Sequence, residues 1–397
     1  MDVPVAGRGR RHLRPEGRRC SPIDETATRL QRPSRDRPDS DPFPGLKEGE
    51  KMRKRLGLLS FGHHQHTPGS QAGGAAEALT QHIDIAVGAE RLGFDGAWIR
   101  VHHYQRQFAS PWALLAATAA RTRRMELGTA VIDMRYENPL MMAELAAAAD
   151  LISGGRLQLG LSRGSQEPAL RGYEAFGHHP GPTDDSRAGD MARAHTERFR
   201  AAIAGAPMAM SDPAETGATV PLAIEPRSDT LPQRIWWGSA TRQSAQWTGE
   251  QGMHLLSSTL LSEDTGVPFA QLQTEQIELF RDAWHRAGHP GTPRVAVVRS
   301  ILPIVSDRDR ALFGAAAAQG SREHVGVLGG AVSRFGKSFI GEPDTVVEAL
   351  SKDEAVRTAD TLLVTIPNLL GSDENLRILE NIAEHIAPAA LGWSRSR

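Results

Sequence analysis

Two groups of histidines and one arginine stand out as residues able to do chemistry. His102 and His103 are adjacent, while His63, His64 and His66 form a second group nearer the start of the chain. An imidazole titrates close to neutral pH, so it can move a proton during turnover or bind a metal as the neutral base. The His64-x-His66 spacing suits zinc in barrel metallohydrolases, but such a site needs further ligands. The strand ends that must provide them carry Arg163, Gly238, Ser258 and Asn368. None is a good zinc ligand and Arg163 repels a cation, so no metal is expected. His63 to His66 read equally well as the lining of a polar loop.

Arg163 and Gly238-Ser239 point to a different ligand. A Gly-Ser turn running into a helix at Thr241 offers backbone N–H groups and the positive end of the helix dipole. Arg163 can add a charge-assisted contact from the neighbouring strand. Alone, Gly238-Ser239 is an ordinary tight turn with a serine cap; with Arg163 it indicates a cofactor phosphate.

The elements that must position these residues alternate regularly. Short apolar strands are expected at 56–61, 97–101, 127–132, 156–162, 234–237, 253–258, 295–305 and 361–366. Helical patterns follow at 75–92, after Ser110-Pro111, and at 139–150, 185–204, 241–251, 269–287, 344–356 and 374–386. Eight strand–helix units are the number in a closed (β/α)8 TIM barrel, whose active site forms at the carboxyl ends of the strands. The rival doubly wound sheet needs a dinucleotide-type glycine turn, and Gly69 to Gly74 lacks that spacing. The regular pattern pauses from about 164 to 232, read as a long insertion between strands 4 and 5, with a looser stretch around Gly314, Gly329 and Gly330. His102 and His103 fall at the end of strand 2. Since adjacent strand residues point to opposite sides, one should face the pocket and the other turn away.

Composition bounds the partners. The 397 residues carry a formal net charge of -1, which gives no global attraction for nucleic acid or an anionic membrane. No apolar run is long enough to span a bilayer. A single cysteine, Cys20, cannot form an intrachain disulfide, so a cytoplasmic location is expected. Residues 1–52 are rich in Arg and Pro and poor in bulky apolar side chains. Such a segment reads as a disordered leader rather than a nucleic-acid arm, and Met52 just before the first strand is an alternative start. The barrel domain is expected over residues 53–393.

Four stretches resemble one family, the bacterial luciferase-like flavin-dependent monooxygenases, between about Arg55 and Trp393. They are Leu92-Gly93-Phe94-Asp95 running through Trp98 to His102-His103, Leu127 to Val131, Ser153 to Gly164, and Ile235 to Ala240. The resemblance implies that Arg163 and the Gly238-Ser239-Ala240 turn hold the phosphate of FMN. It implies that Ala130 and Val131 lie against the isoalloxazine, where the family has a non-proline cis peptide. Ser162 would sit near the reactive face, and His102, with His103 beside it, would be the catalytic imidazole. The implied activity is oxidation of a small organic substrate by reduced FMN and O2, with the reduced flavin supplied by a separate reductase. A homodimer is compatible with the resemblance. The alternatives are a deazaflavin-dependent hydride-transfer oxidoreductase of the same fold, a barrel metallohydrolase, and a flavin-binding protein without catalysis. Two departures stand out. Val101 replaces the glutamate that the family commonly places before the histidine pair, so a carboxylate partner for the imidazole is expected to be missing. The stretch Asp133 to Pro139 replaces an apolar turn and is expected to put charges at the pocket rim, against a long-chain aldehyde.

Overall fold

Gly57, Gly96 and Gly128 fall on three adjacent strands around one tryptophan, and that arrangement shows how the barrel fills. A Cβ at Gly96 would stand 2.8 Å from Trp98 Nε1, and one at Gly128 would overlap the Trp98 ring. The three glycines make room for a side chain that is wholly buried and meets Trp236 edge-on at 5.4 Å. Leu59, Ala130, Leu256, Ala296, Val298 and Leu363 complete this inner cluster. Burying one such large side chain contributes roughly 1.5–3 kcal/mol.

The computed structural model describes residues 53–164, 167–180, 185–263, 265–328 and 331–395. The leader expected over residues 1–52 lies outside them. Eight parallel strands form the wall: β1 Arg55–Ser60, β2 Gly96–Ile99, β3 Glu126–Asp133, β4 Leu157–Ser162, β5 Ile235–Ser239, β6 His254–Ser257, β7 Val295–Pro303 and β8 Thr361–Thr365. Each pairs with the next, and β8 returns to β1 with Leu58 opposite Val364, so the sheet is closed. This is the (β/α)8 barrel expected from the sequence. The larger hydrophobic cluster lies outside the wall and takes in residues such as Leu115, Ile132, Phe199, Phe280 and Ile378.

The helices begin and end where local chemistry dictates. Helix α1, Ala75–Leu92, stops at Gly93, which takes the left-handed conformation at φ 92°. Helix α2 spans Trp112–Arg121 and has no side-chain cap, so Ser110 does not cap it as expected. Helix α3, Pro139–Ser153, starts where Asn138 Oδ1 accepts from Leu140 N and Met141 N. The stretch between β4 and β5 contains a 3-10 turn Gly172–Phe176, helix α4 Asp185–Ile203 and the small hairpin strands Ala209–Met210 and Pro221–Leu222.

The segment after β7 is more ordered than its glycines suggested. Helix α5, Arg242–Glu250, and helix α6, Phe269–Arg286, precede β7; helix α7, Asp307–Gln319, follows it, opened by a Ser306–Asp309 capping box. Strands His324–Leu328 and Ala331–Phe335 then pair antiparallel, and the second also pairs with Leu260–Leu261 after β6. The helix expected at 344–356 is broken, because Asp353 caps a new short helix, Glu354–Thr358.

The end of the barrel opposite the strand carboxyl ends is sealed by charge. Glu126 accepts from Arg55 at 2.7 Å and from both Arg294 nitrogens, at 2.9 and 3.0 Å. Arg294 lies over the Trp236 ring, and Trp236 Nε1 donates to Gln158. Burial alone would raise the Glu126 carboxyl, but the two arginines outweigh it and hold it below the usual range.

Candidate active site

The loop after β2 folds back across the mouth of the barrel. His102 N donates to Phe108 O, Phe108 N to Phe61 O, and His64 N to Arg106 O, tying this loop to the one after β1. Asn368, after β8, fastens the same corner by accepting from Phe61 N and Gly62 N and donating to Ser60 Oγ. Asn368 therefore has a structural task. The strand itself ends at Ile99, so both histidines stand in the loop rather than on β2. They are nevertheless only 4% and 8% exposed, and they diverge.

His102 is bound to a carboxylate. Its Nδ1 lies 2.6 Å from Glu167 Oε1, and both side chains are buried. Gln105 Nε2 donates to Glu167 Oε2 at 2.9 Å, and Gln107 donates to Gln105 Oε1 at 2.7 Å. Burial favours the neutral acid, yet the hydrogen bonds from His102, Gln105 and the His103 amide hold Glu167 below the ordinary glutamate range. The partner that Val101 seemed to remove is thus supplied by the segment after β4. No local pattern announced it, since 65 residues separate the pair. Arg100 was also missed. Its guanidinium lies 5.1 Å from the Phe61 ring, and burial pushes its pKa down to about 10 while Glu167 opposes that shift.

His103 turns the other way, into an aromatic cluster. Its ring stacks on Tyr136 at 4.1 Å and meets Phe176 edge-on at 5.2 Å. Tyr104 and Tyr173 also reach Tyr136, so all three tyrosines of the chain gather here. His103 Nε2 is buried without a hydrogen-bond partner, and burial lowers the pKa of this imidazole. This ring is thus enclosed by aromatic side chains, whereas that of His102 meets a carboxylate.

The residues expected to meet the isoalloxazine converge. A Cβ on Gly238 would stand 2.9 Å from Val131 Cγ1 and 3.5 Å from Ser162 Cβ, so only glycine lets these strands present one smooth surface. The Ala130–Val131 peptide is cis, the conformation the resemblance implies. Ser162 Oγ accepts from Gly164 N.

The phosphate residues divide. Arg163, next to Ser162, is exposed and makes no ion pair among the described residues, which leaves its charge for a ligand. Ser239 is buried, and its hydroxyl is engaged with Ser244 and Thr248 of α5. Any contact it offers at the mouth is therefore from the backbone. Two amides at the start of α5 are already satisfied, Ser244 N by Thr241 and Arg242 N by Glu263. The residues fit a flavin phosphate through Arg163 and the Gly238–Ala240 backbone, with Glu263 facing the same helix end.

The charged stretch after β3 is largely self-neutralising. Arg135 grips Asp133 through Nε and one terminal nitrogen, the latter at 2.6 Å, so the charges expected there offset each other where they pack against Gly164. Glu137 differs: burial and the nearby Asp133 raise it to about 7. Among the described residues no group of three or more His, Cys, Asp or Glu is placed to hold a metal. No described helix is long and apolar enough to cross a membrane.

The carboxyl ends of the strands of this closed barrel thus carry a buried histidine–carboxylate pair and a surface shared by three strands. A sequence profile described as luciferase-like monooxygenase matches residues 54–358, and the chain belongs to that family. An uncharacterised protein, y4wF, of Sinorhizobium fredii is 30% identical over 207 residues, or 51% of this chain and 58% of that protein. The matched region thus spans little more than half of that relative. Among solved structures, the oxygenating constituent of the 3,6-diketocamphane monooxygenase of Pseudomonas putida, in complex with FMN, superposes with a TM-score of 0.62 at 17% identity, covering 85% of this chain and 99% of that one. An F420-dependent secondary alcohol dehydrogenase superposes with a TM-score of 0.56 at 16% identity, covering 85% and 99%. Both likenesses concern the fold.

Proposed function

We propose that the protein is a flavin-dependent monooxygenase that uses reduced FMN and O2 to oxidise a small organic substrate. The observation that carries this reading is the convergence of Val131, Ser162 and Gly238 on one surface, with Arg163, which has no ion pair among the described residues, next to Ser162 and with His102 in a loop at the same end of the barrel. When bound, reduced FMN supplies the electrons that let O2 give one oxygen atom to the substrate and one to water, and leaves oxidised.

This chain's residues bind, orient and shield. Arg163 and the backbone of Gly238, Ser239 and Ala240 hold the phosphate, while Ala130, Val131 and Ser162 support the ring. His102 accepts or returns a proton at Nε2. His103 and the tyrosines exclude water from one side of the mouth. A separate reductase supplies the reduced flavin, and the location is cytoplasmic. The likeness to an F420-dependent dehydrogenase supports a second reading, in which a deazaflavin occupies the same surface and transfers hydride.

Titration of the purified chain with FMN, reduced FMN and F420 tests both readings. Saturable binding of reduced FMN with weak binding of F420 is expected. Tight binding of F420 alone would favour the hydride-transfer reading, and binding of neither would remove the assignment.

A further inference from the structure

His102 presents two nitrogens with different surroundings. Nδ1 faces Glu167 Oε1 at 2.6 Å, a distance that requires a proton between them. Glu167 cannot rotate away freely, because Oε2 is held by Gln105 Nε2 and Oε1 also accepts from His103 N at 3.4 Å. Gln105 is fixed in turn by Gln107, which donates to its carbonyl oxygen. Gln105 Nε2 also comes within 3.1 Å of His102 Nδ1, but its donation is directed to Glu167. At Nε2 the situation is reversed. No hydrogen bond occupies it among the described residues, and it is not among the sealed unpartnered nitrogens, whereas His103 Nε2 is.

We propose that Glu167 is a positioning residue that locks neutral His102 in the Nδ1–H tautomer, leaving the Nε2 lone pair open to the barrel mouth as the proton acceptor. Which nitrogen of an imidazole carries the proton is set by the hydrogen bond the other makes, and a free imidazole favours Nε2–H. Without the carboxylate, the resting ring would therefore present a donor where the reaction needs a base. A carboxylate in this place does two things: it fixes the ring orientation, and it neutralises the imidazolium once a proton arrives. The remainder of the network serves that end, since Gln105 donates to the Glu167 oxygen that His102 leaves over and Gln107 holds Gln105 in place. The sequence conceals this partner because the glutamate arrives from the segment after β4 instead of preceding the histidine pair.

The catalytic meaning of this tautomer rests on the monooxygenase reading, but the tautomer itself does not require flavin. The test uses the full chain, labelled with 15N-histidine and without cofactor, in long-range 1H–15N spectra at pH 8.5. The His102 signal is assigned as the one missing from His102→Asn among the chain's 15 histidines. A protonated Nδ1 and an unprotonated Nε2 are expected for the native chain. Glu167→Gln, whose amide oxygen still accepts, should keep that pattern, and Glu167→Met should invert it to mainly Nε2–H. A native chain showing Nε2–H overturns the proposal, as does a folded Glu167→Met chain that keeps Nδ1–H. If Glu167→Met does not fold, the native and Glu167→Gln spectra decide, because Nε2–H in both refutes the lock. A chain with the expected tautomer that binds no flavin sinks the monooxygenase reading and leaves the lock standing.

Discussion

Replacing Arg163 by alanine separates the phosphate assignment from every other contact with a flavin. The side chain is exposed and lacks an ion pair among the described residues, so its removal leaves no buried charge unpaired. On α4, even a Cβ added at Gly189 would stand 3.7 Å from Arg163 Cδ. The fold should therefore be unaffected. A hydrogen bond to a charged group contributes about 1.5–3 kcal/mol, and exposure of this arginine places it at the lower end. About 1.4 kcal/mol is tenfold in affinity, so FMN should bind roughly tenfold more weakly to Arg163→Ala. Riboflavin, which has the same ring and no phosphate, should bind both chains equally. Isothermal titration of each chain with each ligand gives the four constants. The FMN difference should also shrink at high salt, because an exposed charge is screened. Equal weakening of FMN and riboflavin, or no change for either, would refute the assignment and move the phosphate elsewhere.

Three further outcomes follow from the site and its support. His103→Phe keeps the stack on Tyr136, so it should preserve FMN binding. It should also lose less stability than the native chain as pH falls from 7 to 5, because His103 protonates more readily unfolded than folded; thermal melts at both pH values would show the difference. Glu137 has a carboxyl raised to about 7, so the native chain loses stability as pH rises from the ordinary glutamate range through 7. Glu137→Gln should thus raise the melting temperature at pH 8 and leave it nearly unchanged at pH 4, and equal shifts at both would contradict this. Glu126→Ala strips Arg294 and Arg55 of their shared partner at the sealed end and should cost about 3–5 kcal/mol by urea unfolding. Glu126 is held below its usual range, so its contribution is present above the unfolded pKa and fades as pH falls through the folded one. The deficit of the variant should shrink toward acid pH.

The barrel was readable because each strand is a short apolar run followed by a helix with its own start and stop signals. Asn138-Pro139 stands at the start of α3 and Gly93 at the end of α1, each at the boundary its residue type marks. The best-marked family stretch, Ser153 to Arg156, owes its pattern to architecture: Gly154 and Gly155 take positive φ, and Arg156 caps the carbonyls of Ala119, Thr122 and Met125. What sequence could not show were meetings between distant segments. Glu167 reaching His102, Glu263 reaching the start of α5, and three tyrosines gathering at His103 are products of tertiary folding with no periodic trace. The helix and hairpin after β7 were obscured for a simpler reason. Gly314 interrupts the apolar pattern of α7, and its inward face needs little more than Phe313 and Asp309.

The ion cluster around Glu126 has a consequence for traffic. With that end closed by Arg55, Arg294 and Gln158, and with Trp98 and Trp236 filling the axis above, the described residues leave the barrel open at the carboxyl ends of its strands. On the monooxygenase reading, cofactor, substrate, oxygen and product would then take turns at a single threshold. The first molecule to enter would become the floor on which the next one stands, and the last to arrive would be the first able to leave.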